Sequence, residues 1–289
     1  MASLRDLRRR IKATKNMMQI TKAMKAVSAA KMRKAQESVT SARPYSKRIK
    51  GVLGRVAVAS GDVKHPLLAV REPKKAAFVI ITADRGLCGG FNSNVIRRAT
   101  QELNTAKVEV DLVAIGRKGR DFFRRRGFKI AKEYVGLAEE VKYATARDIA
   151  SYVIEKYSAE EYDEVYLIYS QFVNVLVQKP VMVKILPAEP PTEEGSGAEG
   201  EAKKAPYIFE PSAEAVLTEL LPKYIENAIF QGLLETKAGF YSAQMTAMEN
   251  ATKNASDMID RLTLTMNRAR QAQITKEISE IVGGAAALE

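Results

Sequence analysis

The chain has 289 residues, 46% of them apolar and 28% charged, a balance suited to one large or two modest folded domains. A single Cys and a single His exclude an internal disulfide and leave almost no ligands for a transition metal, and no apolar run reaches the roughly 18 to 20 residues of a membrane-spanning helix. The net charge of +12 is concentrated at the start, where residues 1–50 carry fifteen Lys and Arg against Asp6 and Glu37 and the rest is close to neutral.

Residues 1–43 contain neither Gly nor Pro, which predicts one long helix. Leu4, Leu7 and Ile11 open an apolar seam; Met17, Ile20, Met24 and Val27 resume it in a shifted register. Ser28, Met32, Ala35, Val39, Ala42, Ser46, Ile49 and Leu53 form a third stretch. The Arg-rich, acid-poor start has the composition of a transit peptide, but its helical pattern runs past an ordinary cleavage region, so a removable leader is not expected.

A different pattern follows. "AAFVIITA" (76–83) is a β-branched apolar run and predicts a buried strand, with a helix after it from about Asn92 to Ala106. Residues 108–116 read as strand, 117–127 as a short helix, "FKIAKEY" as a weaker strand and 145–158 as a helix. Residues 164–172 and 175–187 read as two strands too close for a crossover, hence an antiparallel hairpin at the edge of a mainly parallel sheet. Residues 188–206 are rich in Gly, Pro and Glu and read as a polar loop. A helix resumes after Pro211 with Ser212 as N-cap, and Pro222, Gly232 and Gly239 are expected to bend or weaken it. Residues 241–282 again lack Gly and Pro. Their Tyr241, Met245, Met248, Thr252, Ala255, Ile259, Leu262, Met266 and Ala269 keep a strict 4-3 spacing, the mark of a narrow coiled-coil seam.

The expected fold class is therefore mixed α/β: a long antiparallel coiled coil of the N- and C-terminal helices around a central α/β domain. The segments are 1–56 (first helix), 74–187 (α/β domain), 188–206 (loop) and 211–289 (last helix).

Few residues offer chemistry. "TADRGLCGGFNSN" (82–94) joins strand to helix, where phosphate-binding loops occur, but it lacks the Lys-Ser/Thr ending of a P-loop and does not match G-x-G-x-x-G. The simpler reading is a tight turn, with Gly86, Gly89 and Gly90 supplying backbone freedom and Asp84 and Arg85 bracing it. His65 lies beside Pro66 with no catalytic partners in view, and Cys88 has neither a second Cys nor a nearby His. The basic first helix admits nucleic acid, a membrane surface, solvent or an acidic protein as its counterpart. No Leu zipper follows it, against the basic-zipper arrangement, and no aromatic precedes Tyr45, against membrane-surface binding. These features weaken the nucleic-acid and membrane readings, and composition alone selects none of the four.

Three stretches narrow the choice. "ITKAMKAVSAAKMRKAQ" (20–36), "ADRGLCGGFN" (83–92) and "NRARQAQITKEISEIVGGAA" (267–286) closely resemble the gamma subunit of F-type ATP synthases, in that family's order. The resemblance implies a Rossmann-like central domain beneath the coiled coil, and a non-catalytic rotor that binds no cofactor or nucleic acid. Its partners would be the alpha and beta subunits, the epsilon subunit and the membrane c-ring, with torque passing from the ion-driven ring to the catalytic beta subunits. By the same resemblance Met24, Lys25, Lys31, Arg33 and Lys34 face beta, as do Arg268, Arg270 and Gln271, while Tyr207 and Glu210 lie near the c-ring and epsilon. Membrane association would come only through the complex, on the cytoplasmic face of a bacterial plasma membrane. With Cys88 alone, the two-Cys switch of chloroplast members cannot form.

Overall fold

The computed structural model describes residues 3–60, 65–136, 140–188, 209–210 and 212–286. Most of the 188–206 loop and Tyr207 lie outside the described residues. In chain order the elements are α1 (Leu4–Ser60), a 3-10 turn (Pro66–Leu68), β1 (Lys75–Ile81), α2 (Phe91–Thr105) and β2 (Glu109–Ile115). Then come α3 (Arg117–Arg125), β3 (Ile130–Tyr134), α4 (Tyr143–Ser158), β4 (Glu164–Phe172), β5 (Gln178–Leu186) and α5 (Ala213–Ala286). The chain divides into two compact units, one of residues 30–243 and one of residues 1–29 with 244–289.

The larger unit is built on a five-stranded sheet of order β3-β2-β1-β4-β5, in which β1 to β4 are parallel and β5 runs antiparallel to β4. The near-continuous apolar run of β1 follows from its central place, where both faces are covered. Ala77, Val79 and Ile81 point into a core shared with Ile149 and Val153 of α4 and Leu221, Ile225 and Ile229 of α5. Ala76, Phe78 and Ile80 point to the opposite core, closed by Val95 and Ala99 of α2 and Phe123 of α3. Each such Leu, Ile or Phe side chain contributes roughly 1.5–3 kcal/mol by leaving water.

Helix α5 begins where the cap was expected: Ala215 N–H donates to Ser212 Oγ at 3.1 Å. It then continues unbroken through Pro222, Gly232 and Gly239. The two glycines serve packing here. A Cβ on Gly232 would stand 3.1 Å from Ile81 Cδ1 and 3.2 Å from Leu167 Cδ2, and one on Gly239 would stand 2.9 Å from Phe91 Cε2. Their absent side chains let α5 lie against the sheet and the head of α2. A buried carboxylate reinforces this contact. Glu235 accepts from Phe172 N–H at 3.3 Å and from Gln231 Nε2 at 2.7 Å, while Arg43 Nη2 sits 3.7 Å away and donates to the Phe172 carbonyl at 2.8 Å.

His65 caps the 3-10 turn, its Nδ1 accepting from Leu67 N–H at 3.1 Å. Burial holds its pKa below the ordinary value of 6.5. Only the neutral ring accepts at Nδ1, so the cap's stabilisation is present above pH 6.5 and is lost as pH falls through the lowered folded value. Thermal unfolding between pH 7.5 and 5 should therefore show a loss of at most about 1 kcal/mol, absent in His65→Asn, which caps without titrating over that range.

In the smaller unit, α1 and α5 pair antiparallel. Thr252 Oγ1 donates to Thr21 Oγ1 at 2.8 Å, Ser28 Oγ to Gln244 Oε1 at 2.9 Å, and Lys25 Nζ to Glu249 Oε1 at 2.7 Å. The α5 seam residues from Met248 to Ala269 are all buried or half-buried. The α1 seam differs from expectation. Met17, Ile20 and Val27 are 56%, 54% and 54% exposed, whereas Thr21 is buried; Ser28, expected in the seam, is buried there. Leu4, Leu7, Ile11, Thr14, Met18, Thr21, Lys25, Ser28 and Met32 keep one 3-4 rhythm that runs on to Leu53, with no register shift. Polar residues occupy seam positions because each finds a partner across the pair or along its own helix, so a purely apolar reading skipped them. Replacing both Thr21 and Thr252 by Val removes donor and acceptor together. The double variant is expected to unfold at the same denaturant midpoint or higher, by up to about 1 kcal/mol.

Candidate functional site

The turn between β1 and α2 is braced by several side-chain hydrogen bonds. Asp84 Oδ1 accepts from Arg117 N–H at 2.9 Å and Gly136 N–H at 3.1 Å, tying it to the loops after β2 and β3. Asn92 accepts from Ala83 N–H at 2.9 Å and donates to the Arg85 carbonyl and to Cys88 Sγ, each at 3.2 Å. Gly89 has φ +56°, and Leu87, which is exposed, has φ +60°. Gly86 meets only the end of the Lys118 side chain, and the Gly90 carbonyl accepts the Asn94 N–H. The Ala83 amide donates to Asn92 Oδ1 and the Phe91 amide to the Cys88 carbonyl, bonds that close the turn on itself. Burial pushes the Cys88 thiol up, away from the thiolate a nucleophile needs.

Three residues that sequence reasoning passed over complete this turn. Thr82 Oγ1 donates to the Ile115 carbonyl at 3.1 Å and accepts from Gly119 N–H at 2.8 Å. Gly116 has φ +88°, and a Cβ there would stand 2.1 Å from the Thr82 carbonyl oxygen. Asn92 is buried and central. Their roles depend on partners seven to thirty-seven residues away, beyond the reach of local pattern.

The basic residues of α1 singled out from the sequence differ in their surroundings. In the larger unit, Lys31 Nζ lies 5.8 Å from the centroid of Tyr241, and Lys237 Nζ lies 5.9 Å from the same ring. Lys34 Nζ is 3.6 Å from Glu140 Oε1 in a pair that is 75% and 72% exposed, too solvated to stabilise much. Lys31, Lys34, Lys237, Glu140, Phe230 and Tyr241 line a cleft of about 600 Å³. Arg33 is exposed. In the smaller unit Met24 is half-buried and Lys25 is bound to Glu249, whereas Arg268, Arg270 and Gln271 are exposed. The same helix carries exposed apolar residues at Leu264, Ile274, Ile278, Ile281 and Val282. Glu210 is exposed. Among the described residues no group of His, Cys, Asp or Glu could hold a metal ion, and no helix is long and apolar enough to cross a membrane. The arrangement is one of surfaces, charged on α1 and mixed on α5, with a turn braced by the hydrogen bonds of Asp84 and Asn92.

Comparison with known proteins gives these surfaces a context. The family model described as ATP synthase matches residues 3–288. The ATP synthase gamma chain of Pelotomaculum thermopropionicum is 79% identical over 289 residues, covering all of both chains. Among solved structures, the central stalk and c-ring of the Tetrahymena thermophila mitochondrial ATP synthase contains a chain 26% identical, at a TM-score of 0.62. The match covers 80% of this chain and 99% of that one. A chain of the Euglena gracilis mitochondrial ATP synthase shares the fold at a TM-score of 0.69 and 20% identity, over 99% and 94% of the two chains.

Proposed function

Since the chain belongs to the ATP synthase gamma-chain family and is a non-catalytic subunit of that enzyme's central stalk, we propose that its paired helices act as the rotor shaft. The shaft transmits torque between an ion-driven c-ring and the catalytic beta subunits. The observation that carries this reading is the antiparallel pairing of α1 and α5, joined by the Thr21–Thr252, Lys25–Glu249 and Ser28–Gln244 contacts. A rod of two long helices resists twisting better than one and offers a different face at each angle.

Within this reading Lys31, Arg33 and Lys34 meet an acidic surface of beta, together with Met24 and Lys25. Arg268, Arg270 and Gln271 contact beta from the other helix. Tyr207 and Glu210 belong to the contact with the c-ring and epsilon. The alpha subunits complete the collar, and the assembly sits on the cytoplasmic face of the plasma membrane. Exposure of Arg33, Arg268, Arg270 and Gln271 supports their availability to partners, and the bonds Asp84 accepts from Arg117 and Gly136 support a bracing rather than a catalytic part for residues 84–90.

The test is reconstitution. The purified chain alone should hydrolyse no ATP, and adding it to alpha and beta subunits should yield a stable complex with strong ATPase activity. Substantial hydrolysis by the chain alone, or failure to join the other subunits, would overturn the assignment.

A further inference from the structure

A second basic site lies on the opposite core face from α4 and α5, in the groove between α2 and α3. It has a volume of about 320 Å³, and its lining includes Arg97, Arg126, Ser93, Gln101, Asn104 and Phe122 but no acidic side chain. Both guanidiniums are set in place. Arg97 Nη2 donates to Asn94 Oδ1 at 2.7 Å, and the Arg126 guanidinium stacks 4.7 Å from the centroid of Phe122. Among the described residues neither is paired with a carboxylate, unlike the neighbouring Arg98, Arg120 and Arg124, which are bound to Glu102, Asp121 and Glu133. Two oriented guanidiniums left without a counterion, ringed by neutral donors over an aromatic floor, constitute a receptor for an anion.

We infer that this groove binds a phosphate group, presented either by a soluble phosphate or by the headgroup of an anionic phospholipid. The set of donors favours phosphate over carboxylate. Ser93, Gln101 and Asn104 of α2 supplement Arg97 on the same helix and Arg126 at the end of α3, and so many donors suit the several oxygens of a tetrahedral anion better than the two coplanar oxygens of a carboxylate. Stacking on Phe122 limits the motion of Arg126, so less side-chain entropy is lost on binding.

The test uses the full-length chain, the variants Arg97→Gln and Arg126→Gln, and Arg117→Gln as an exposed basic control outside the groove. Inorganic phosphate is titrated by calorimetry. In parallel, sedimentation is measured with phosphatidylcholine vesicles containing or lacking phosphatidylglycerol, with circular dichroism confirming each fold. Saturable phosphate binding, weakened at least about tenfold in each groove variant and unchanged in the control, is the expected result for a soluble ligand. Phosphatidylglycerol-dependent sedimentation with the same variant pattern identifies the lipid as the source. No binding in either arm, equal loss in Arg117→Gln, or stronger retention of a polyglutamate peptide than of either phosphate form would overturn the inference.

Discussion

Replacing Gly116 by Ala is expected to destabilise the larger unit by more than about 4 kcal/mol, among the largest losses a single methyl group can cause. Two effects combine. The φ of +88° is one that L side chains rarely adopt, and the new Cβ would stand 2.1 Å from the Thr82 carbonyl oxygen, a backbone atom that cannot rotate away. Relief would require moving β1 from β2, breaking the Thr82 N–H bond to Ile115 at 2.8 Å and the Thr82 Oγ1 contact with Gly119. Gly127→Ala is the internal control. Its φ is +76° but nothing lies within 4 Å of the added carbon, so only the backbone term remains, about 1 kcal/mol. Chemical denaturation of both variants separates steric from conformational cost. Equal losses would show that the close approach at Gly116 is not what makes glycine necessary.

The second large effect is functional. Reversing charge at Lys31, Arg33 and Lys34 together should leave the fold within about 1 kcal/mol of the parent, since these side chains are partly or fully exposed and the Lys34–Glu140 pair is solvated. In the assembled enzyme, under the proposed contact with an acidic surface of beta, the same change would set like charges against each other at a cost of several kcal/mol, and should lower ATP-driven proton pumping at least about tenfold. Pumping is read by quenching of a pH-sensitive dye in vesicles, and stability by thermal unfolding of the isolated chain. Undiminished pumping in a folded variant would remove these residues from the transmission path.

Much of the fold was legible in the sequence, and the reasons are physical. Strands β1 and β4 are buried on both faces, so their apolar runs stand out, and the 164–172 reading matches β4 residue for residue. Strand β3 lies at a sheet edge with only half-buried and exposed residues, which is why its signal was weak. The α1 seam was misread because apolarity was taken as the marker of contact. Met17, Ile20 and Val27 face outward, while Thr14, Thr21 and Lys25 face the partner helix and bond to it. Gly232 and Gly239 were taken as weak points in α5 because their use, close packing on Ile81, Leu167 and Phe91, depends on residues far away in the chain.

The site was less legible than the fold. Clustering of positive charge on α1 is evident from composition, but among the described residues no carboxylate is shown paired with Arg33, Arg268 or Arg270 to name a counterpart. Only the likeness to gamma chains supplied one. The Asp84 turn shows the converse. Its Gly-rich sequence reads as a tight turn rather than a phosphate loop, and the bonds made by Asp84 and Asn92 agree with that reading.

The central claim, that this chain turns and carries torque, is tested most directly by watching it turn. The complex is fixed to a surface through its beta subunits, a bead or gold particle is attached to this chain, and ATP is supplied. The account predicts continuous rotation in one direction, driven by hydrolysis. A probe that stays still while the complex hydrolyses ATP would contradict it.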